Sequence, residues 1–356
     1  DAQESRGLGD VYKRQLLTFV SAITAGAMGS AAADVSVSGG SNFYYSSASG
    51  DVAHTIQDDA MSVTGGSVVF TMSTETTNGI TVGGSASITA DTDDIAEYTA
   101  NGAAAGGAAT GMSQLTFGMD GMTITLGDVN NAGSGTGEGG DVSTFASTHA
   151  GAHATASASS ANDSAMDGVA DGTGINVSTS IGGASVDLTY VTKVGSGRNS
   201  LLTTSATTGY SSGYAVNVGF DLGGASVNVA AGGSQAKATD VKNNTATALE
   251  ISYPVSDALS VTAGGSSGTI KAGDEDNMFV SASYTVDADT TLSIGYGKGD
   301  NTTAGVLDKA TATTVNVSRS LGGGVSVFAE YATVSNDNDG STSNGSAMTV
   351  GTSVSF

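Results

Sequence analysis

The last eleven residues, SAMTVGTSVSF at positions 346–356, decide the fold. Met348, Val350, Val354 and the terminal Phe356 share one parity, whereas Thr349, Gly351, Ser353 and Ser355 lie on the other. This period of two predicts a β-strand with one apolar and one polar face. Strands of this kind, about ten residues long and separated by turns, build the wall of a transmembrane β-barrel.

The same alternation recurs upstream along most of the chain. Apolar residues occupy every second position in the following segments: Ile124–Leu126, Val186–Tyr190, Val216–Leu222, Met278–Val286, Leu292–Tyr296, Val315–Val317 and Val325–Tyr331. After Ala33 the sequence contains no apolar run of about 18 residues, which excludes a helical membrane protein. The pattern therefore predicts many amphipathic strands.

Short turn sequences alternate with long connections that are rich in Asp, Asn, Gly and Ser. The seven short turns are predicted at Thr77–Gly79, Asp120–Gly121, Gly182–Gly183, Gly223–Gly224, Val255–Ala258, Ala288–Asp289 and Gly322–Gly324. Seven hairpins, a first strand from Asp34 and a last strand to Phe356 make sixteen antiparallel strands. We expect an all-β barrel in which the last strand pairs with the first and leaves no open edge.

Composition argues against a soluble globular protein or an enzyme. The 356 residues include no Trp, one Pro and 53 Gly, and only 6% are aromatic, so a conventional core is poorly supplied. The net charge of -23 predicts no affinity for nucleic acid. The chain lacks Cys and the common hydrolase, zinc-protease and phosphate-loop motifs, so we expect no enzyme. The pair His149 and His153 is interpreted as part of a solvated loop rather than as a metal site.

The amino-terminal region is typical of a secretory signal. Lys13 and Arg14 precede the apolar run Leu16–Ala33, which ends in small residues, and cleavage is expected before Asp34. Residues 1–15 differ in composition from the rest. They are interpreted as non-native residues from an assembly junction, or alternatively as the natural basic region of the signal. Residues 34–356 are predicted to form a single barrel domain.

Three local features resemble the sixteen-stranded general porins of Gram-negative bacteria. The terminal SVSF resembles the carboxyl-terminal signature that the barrel-assembly machinery recognises, with Phe356 as the signal residue. GMTITLGD at 121–128 resembles the fifth porin strand. The long connection that follows, about residues 129–172, matches the third loop, which in porins folds into the lumen and forms the constriction.

The resemblance implies an outer-membrane channel for passive diffusion of small hydrophilic solutes. Candidate pore-lining and constriction residues are Glu138, Asp141, Asp163, Asp167 and Asp171 in the long connection, and Asp187, Lys193, Glu250 and Glu330 on the polar face of the strands. General porins usually place a basic cluster opposite the acidic loop, but no Lys or Arg occurs between Gln15 and Thr192. This departure predicts a negative lumen and cation preference. For each loop acid, a solvated turn is the alternative.

Other positions have simpler interpretations. Arg319 shares the parity of Val315 and Val317, so it is expected to face lipid near a membrane end, whereas Asp287 falls on the polar parity. Aromatic residues on the apolar parity predict girdles at the membrane interfaces; they are Tyr190, Phe220, Tyr253, Tyr284, Tyr296, Tyr331 and Phe356.

The expected partners follow from the same resemblance. They are outer-membrane lipid and lipopolysaccharide, the barrel-assembly machinery, and two further copies in a homotrimer, whose interface could involve Gly65, Gly83, Gly84 and Ala86. No cofactor is expected beyond unspecific surface calcium at Asp91, Asp93 and Asp94 or at Asp274–Asp276. A secreted Ser/Thr/Gly-rich adhesin or β-solenoid is the competing interpretation, although no repeat of 20 to 50 residues supports a solenoid.

Overall fold

The protein is a closed antiparallel β-barrel. The computed structural model describes residues 34–50, 60–89, 108–110, 114–137, 164–170, 172–194, 210–236, 243–270, 273–303, 306–338 and 341–356. The strands are β1 (Asp34–Gly50), β2 (Ala60–Glu75), β3 (Thr81–Thr89), β4 (Ala108–Thr110), β5 (Gln114–Met119), β6 (Met122–Val129), β7 (Gly172–Ile181), β8 (Ala184–Val194), β9 (Tyr210–Leu222), β10 (Ala225–Ala236), β11 (Asn244–Pro254), β12 (Leu259–Ile270), β13 (Gly273–Asp287), β14 (Thr290–Thr303), β15 (Val306–Gly322), β16 (Val325–Asn338) and β17 (Ser341–Ser355). The 3₁₀ helix Ala165–Gly168 precedes β7.

The seventeen segments form sixteen positions in the wall. β4 and β5 both pair with β3, β4 at one end and β5 at the other, so they are two parts of one strand position. β17 pairs with β1 from Gly345↔Gly50 to Ser355↔Gly40 and closes the sheet. Gly39 and Phe356 exchange two backbone hydrogen bonds of 3.0 Å just beyond that register. The predicted sixteen-stranded barrel, closed by its last strand, is confirmed.

All seven predicted short turns lie between the strands that they were expected to connect. The turn chemistry explains the glycine pairs, because a two-residue type I′ turn needs positive φ at both central residues. Gly182 and Gly183 have φ values of 62° and 90°. The strands exceed the expected length, since β15 has 17 residues. The strands also extend into the Asp- and Asn-rich segments predicted as long connections, so only two residues separate β12 from β13, β14 from β15 and β16 from β17.

The two faces of the wall differ sharply in exposure. Tyr190 is 50% exposed, whereas the preceding residue, Thr189, is 3% exposed. The exposed parity carries Val, Leu, Ile and the aromatic residues, including all seven predicted girdle residues, and therefore forms the outer face. The opposite parity carries mainly Ser, Thr, Asn, Gly and Ala and forms the inner face. This is the arrangement of a barrel with lipid outside.

A β-bulge changes the facing of one acid. The β13–β14 register shifts between Thr285 and Asp287, so Asp287 no longer follows the parity of the inner face. Arg319 lies on the outer face near the short turns, as expected, and its Nη1 is 3.4 Å from Asp287 Oδ2 and donates to Thr290 Oγ1 at 2.8 Å. The prediction that Asp287 shares the polar face was wrong because simple parity counting assumes an uninterrupted ladder.

Within the described ranges, which begin at residue 34, no helix has the length and apolar character needed to cross a membrane. The predicted signal peptide, residues 16–33, and the preceding fifteen residues lie outside those ranges.

Candidate channel interior

The connection after β6 turns into the barrel and packs against the inner face of the wall. The described parts are residues 130–137 and 164–170, and hydrogen bonds join them to each other and to β8. Thr189 Oγ1 donates to the Asn130 carbonyl at 3.1 Å, and Asn131 Nδ2 donates to the Met166 carbonyl at 2.8 Å. Ser164 Oγ donates to the Thr136 carbonyl at 2.8 Å. Both described parts of the predicted third loop therefore fold inward, and these two parts are called the inner loop below.

The inner loop rests on a surface made of small side chains. This surface, called the seat below, consists of Ala215, Ala230, Gly232, Ala246, Ala248 and Gly268 on strands β9 to β12. Val129, Met166 and Val169 of the loop side belong to the same buried apolar cluster, and Met166 is 0% exposed. Small residues suit this position because the loop backbone must fit between the wall and the open lumen.

Two loop glycines lie where a side chain would not fit. Gly133 has a φ of 95°, and a Cβ added there would lie 2.5 Å from the Cβ of Ala230. Gly137 has a φ of 75°, and its added Cβ would lie 2.5 Å from the Gly265 carbonyl oxygen. A positive φ also favours glycine at both positions. The loop backbone therefore touches the wall directly.

The 3₁₀ helix Ala165–Gly168, called the tip of the inner loop below, is fixed by hydrogen bonds that run across two wall strands. The backbone N–H of Ala165 donates to Ser266 Oγ at 2.8 Å, and Ser266 Oγ donates to Asn277 Oδ1 at 2.9 Å. Asn277 Oδ1 also accepts from the Ser266 backbone N–H at 2.5 Å. All three residues are buried.

Polar and acidic side chains lie on the inner face beside the seat. Asp187 of β8 pairs in register with Asn217 of β9, and Asn228 of β10 pairs with Glu250 of β11. Residues paired in this way on one face lie about 5 Å apart between Cβ atoms. Asp187 and Glu250 are both half-buried. Four consecutive strands thus present carboxylates and amides to the same side of the wall.

Glu330 lies on the inner-face positions of β16 but is 2% exposed. Asn316 Nδ2 donates to its Oε2 at 3.3 Å. Its strand neighbour in register on β17 is Thr349, which is 0% exposed. This carboxylate is therefore part of a buried polar row of the wall.

Of the six remaining predicted site residues, the structure describes the backbone of two and does not describe the other four. Glu138, Asp141, Asp163 and Asp171 lie outside the described residues. For Asp167 and Lys193 only the backbone is described, in the 3₁₀ helix and near the end of β8 respectively. A register shift between Thr173 and Gly174 interrupts the ladder beside Lys193, so parity cannot be counted through to it from Asp187. The pore-lining roles of these residues stay predictions.

Sequence reasoning missed the seat and the amides Asn217 and Asn228. A usable signal existed for the seat, because Ala246 and Ala248 alternate with Thr residues, which places small residues on the polar parity of β11. The register that joins them to Ala230 and Ser266 spans three strands and cannot be counted from one strand alone.

Among the residues that the structure describes, no group of three or more His, Cys, Asp or Glu side chains could hold a metal ion. Asp91, Asp93 and Asp94, considered for surface calcium, lie outside them, whereas Asp274–Asp276 belong to β13.

Solved structures with similar folds are outer-membrane proteins and porins. A loop L8 deletion mutant of OmpT, an outer membrane protein of Vibrio cholerae, is 14% identical, with a TM-score of 0.61 over 91% of this chain and 99% of that chain. The outer membrane channel DcaP of Acinetobacter baumannii is 12% identical, with a TM-score of 0.62 over 91% and 97%. A mutant of the Rh. blastica porin is 18% identical, with a TM-score of 0.57 over 91% and 100%.

A search of curated protein sequences gave no significant match. The sequence profile of the Gram-negative porin family, however, matches residues 18–339, which is most of the chain. Porins are channels, and this assignment, like the closed barrel, contradicts the adhesin and β-solenoid alternative. The chain belongs to the Gram-negative porin family and is an outer-membrane β-barrel channel.

Proposed function

We propose that the channel conducts small hydrophilic solutes by passive diffusion and prefers cations. The observation that carries the proposal is that the inner face presents carboxylates, whereas the basic side chains that the structure describes lie on the outer face. Asp187 and Glu250 occupy inner-face positions on β8 and β11. A barrel of sixteen strands has an interior too wide for wall side chains to fill, so water and solutes can pass where the inner loop leaves space.

The basic side chains that the structure describes all lie on the outer face. They are Lys298, Lys309 and Arg319. Lys298 shares its parity with the outward Ile294 and Tyr296, and Lys309 shares the parity of Val315 and Val317. Cations on the outer face cannot neutralise the inner acids at close range. The charges that a permeating ion meets on the described wall are therefore mainly negative.

The expected selectivity can be estimated from one carboxylate. At about 7 Å in water, a unit charge changes the energy of a monovalent ion by about 0.6 kcal/mol, and salt near 0.1 M reduces this to about 0.3 kcal/mol. Cations gain and anions lose this amount, so one carboxylate changes the local cation-to-anion ratio about threefold. Two wall acids with similar access should act in the same direction.

The test is the reversal potential of the purified protein in planar bilayers with a potassium chloride gradient. We expect cation selectivity, and we expect Glu250→Gln and Asp187→Asn each to reduce it. Asp276→Asn is the matched control, because it removes the same charge from an exposed outer-face position of β13. An anion-selective wild-type channel, or equal effects of Glu250→Gln and Asp276→Asn, would contradict the proposal.

We further propose that the mature protein is the barrel of residues 34–356, exported by a signal at residues 16–33 and inserted through recognition of Phe356.

The proposed partners are lipopolysaccharide and two further copies in a homotrimer. Gly84 and Ala86 support an outer-face contact, since they share the parity of the outward Ile88 on β3 and add little side-chain volume of their own. Mass analysis of the detergent-solubilised protein, with the Ala86→Arg variant as comparison, tests the trimer.

A further inference from the structure

The inner loop meets the wall through contacts of two physical kinds. Apolar contacts dominate the seat, where Met166 and Val169 face methyl groups and glycines. Such contacts are non-directional, so they hold the loop against the wall but restrict its position along the wall less sharply than directional bonds do. Hydrogen bonds are directional and lose most of their strength when the donor angle or distance changes. The position of the loop therefore depends on where its hydrogen bonds are made.

The relay from Ala165 through Ser266 to Asn277 makes such a bond at the tip. It joins the loop backbone to β12 and then to β13, so a shift of the tip along either strand breaks it. The relay is buried, and a buried N–H that loses its acceptor is costly because water does not replace the partner at once. Ser266 both accepts from the loop and donates to Asn277, which lets each bond polarise the other.

We propose that Ser266 and Asn277 are positioning residues that fix the inner loop on its seat and thereby keep the conductance of the channel constant. Neither residue need contact the permeating ion. Ser266 of β12 pairs in register with Ala248 of β11 on one side and with Asn277 of β13 on the other, which places the relay at the edge of the apolar seat. The inference depends on the channel assignment and is independent of cation preference.

The experiment is single-channel recording in planar bilayers at fixed salt, with four variants. Ser266→Ala removes the hydroxyl at the centre of the relay, and Asn277→Ala removes its final acceptor. Ser266→Thr keeps the hydroxyl and is the conservative rescue. Ser267→Ala is the matched control, because Ser267 is the next residue of β12 and is exposed on the outer face. Heat-modifiable migration in detergent reports whether each variant forms a barrel.

We expect Ser266→Ala and Asn277→Ala to form barrels and to spend about 5-fold to 150-fold more time in altered conductance levels, as expected when one buried hydrogen bond is lost. Ser266→Thr and Ser267→Ala should behave like the wild type. Two results would overturn the proposal: steady wild-type conductance in Ser266→Ala and Asn277→Ala, or equal disturbance in Ser267→Ala. If Ser266→Ala does not form a barrel, the conductance of Asn277→Ala decides between the outcomes. If neither variant forms a barrel, both residues are needed for the stability of the wall, and this result also overturns the proposal. A changed reversal potential bears only on cation preference.

Discussion

Gly133 offers a direct test of how closely the inner loop contacts the wall. In Gly133→Ala the new Cβ would lie 2.5 Å from the Cβ of Ala230, well inside van der Waals contact. The next nearest atom, Met166 Cε, would be 3.4 Å away, which is ordinary contact. The substitution therefore creates one severe clash, between the loop and β10, and leaves the hydrogen-bond ladders of the barrel unchanged.

Two costs contribute to the effect of Gly133→Ala. A residue with a side chain pays about 1 to 2 kcal/mol for a left-handed backbone such as the φ of 95° at this position. Forcing an extra methyl group into a packed site costs typically about 1 to 3 kcal/mol. The seated form of the loop should thus lose about 2 to 5 kcal/mol. In Gly133→Ala/Ala230→Gly the second methyl group is gone, so about 1 to 3 kcal/mol should return.

Met166 provides the assay, because its side chain is 0% exposed when the loop is seated. Peroxide converts an accessible methionine to the sulfoxide, which mass spectrometry of peptides can quantify. Met278 on the outer face, 57% exposed, serves as the internal reference. Each 1.4 kcal/mol lost from the seated form should raise the relative oxidation rate of Met166 about tenfold, until the displaced form dominates.

The double variant separates the clash from the backbone cost, because it removes the clash and keeps the left-handed backbone at position 133. Gly79→Ala is the control for an alanine at positive φ away from the loop. Gly79 has a φ of 78° in the β2–β3 turn, and an added Cβ there meets nothing within 4 Å. Gly79→Ala should leave the oxidation of Met166 unchanged. Protection of Met166 in Gly133→Ala equal to that in the wild type would refute the described loop contact. Failure of the double variant to recover protection would show that Ala230 is not the obstacle.

Two further predictions concern the barrel wall. Gly39→Ala places a Cβ 2.4 Å from a β2 carbonyl oxygen and 2.7 Å from the ring of Phe356, so it should lower the free energy of unfolding by about 1 to 3 kcal/mol. Gly118→Ala, whose added Cβ lies 3.6 Å from its nearest atom, should leave the free energy of unfolding unchanged. The temperature at which the folded band disappears in heat-modifiable electrophoresis compares the two variants. Arg319→Ala should change the free energy of unfolding by less than about 1 kcal/mol, because the ion pair of Arg319 with Asp287 is exposed. Val315→Arg, toward mid-strand on the same outer face, should lower the free energy of unfolding by about 2 to 4 kcal/mol. Urea titration in lipid vesicles compares the two variants, and equal effects would contradict the assigned membrane depth.

The sequence predicts the barrel well because the information needed is local. Side chains alternate across a strand with a period of two whatever its partners, and the turn residues Gly182–Gly183 or Asp120–Gly121 determine tight hairpins by their own backbone preferences. Once these turns are found, hairpin pairing and the closure of β17 on β1 follow from the need to satisfy every backbone group in lipid.

The facing of individual charges is harder to predict because it depends on single insertions. One bulged residue between Thr285 and Asp287 changes the side that the acid takes, and nothing in the local pattern announces it. The inner seat is also non-local. Ala230, Ala248 and Ser266 form one row only because two registers align, and those registers depend on the lengths of two separate connections, β10–β11 and β11–β12.

The arrangement of the inner face explains why small residues and charged residues occur so close together. On β11, Ala248 belongs to the seat and Glu250 lies two residues farther toward the short turn, a distance of about 7 Å along the strand. A loop displaced by that amount would cover the carboxylate and separate it from the water through which ions pass. Bulky side chains at the seat would also displace the loop, in this case away from the wall and into the lumen. The small seat and the hydrogen-bonded tip therefore serve one requirement, which is to keep the loop on the wall beside the acids without covering them.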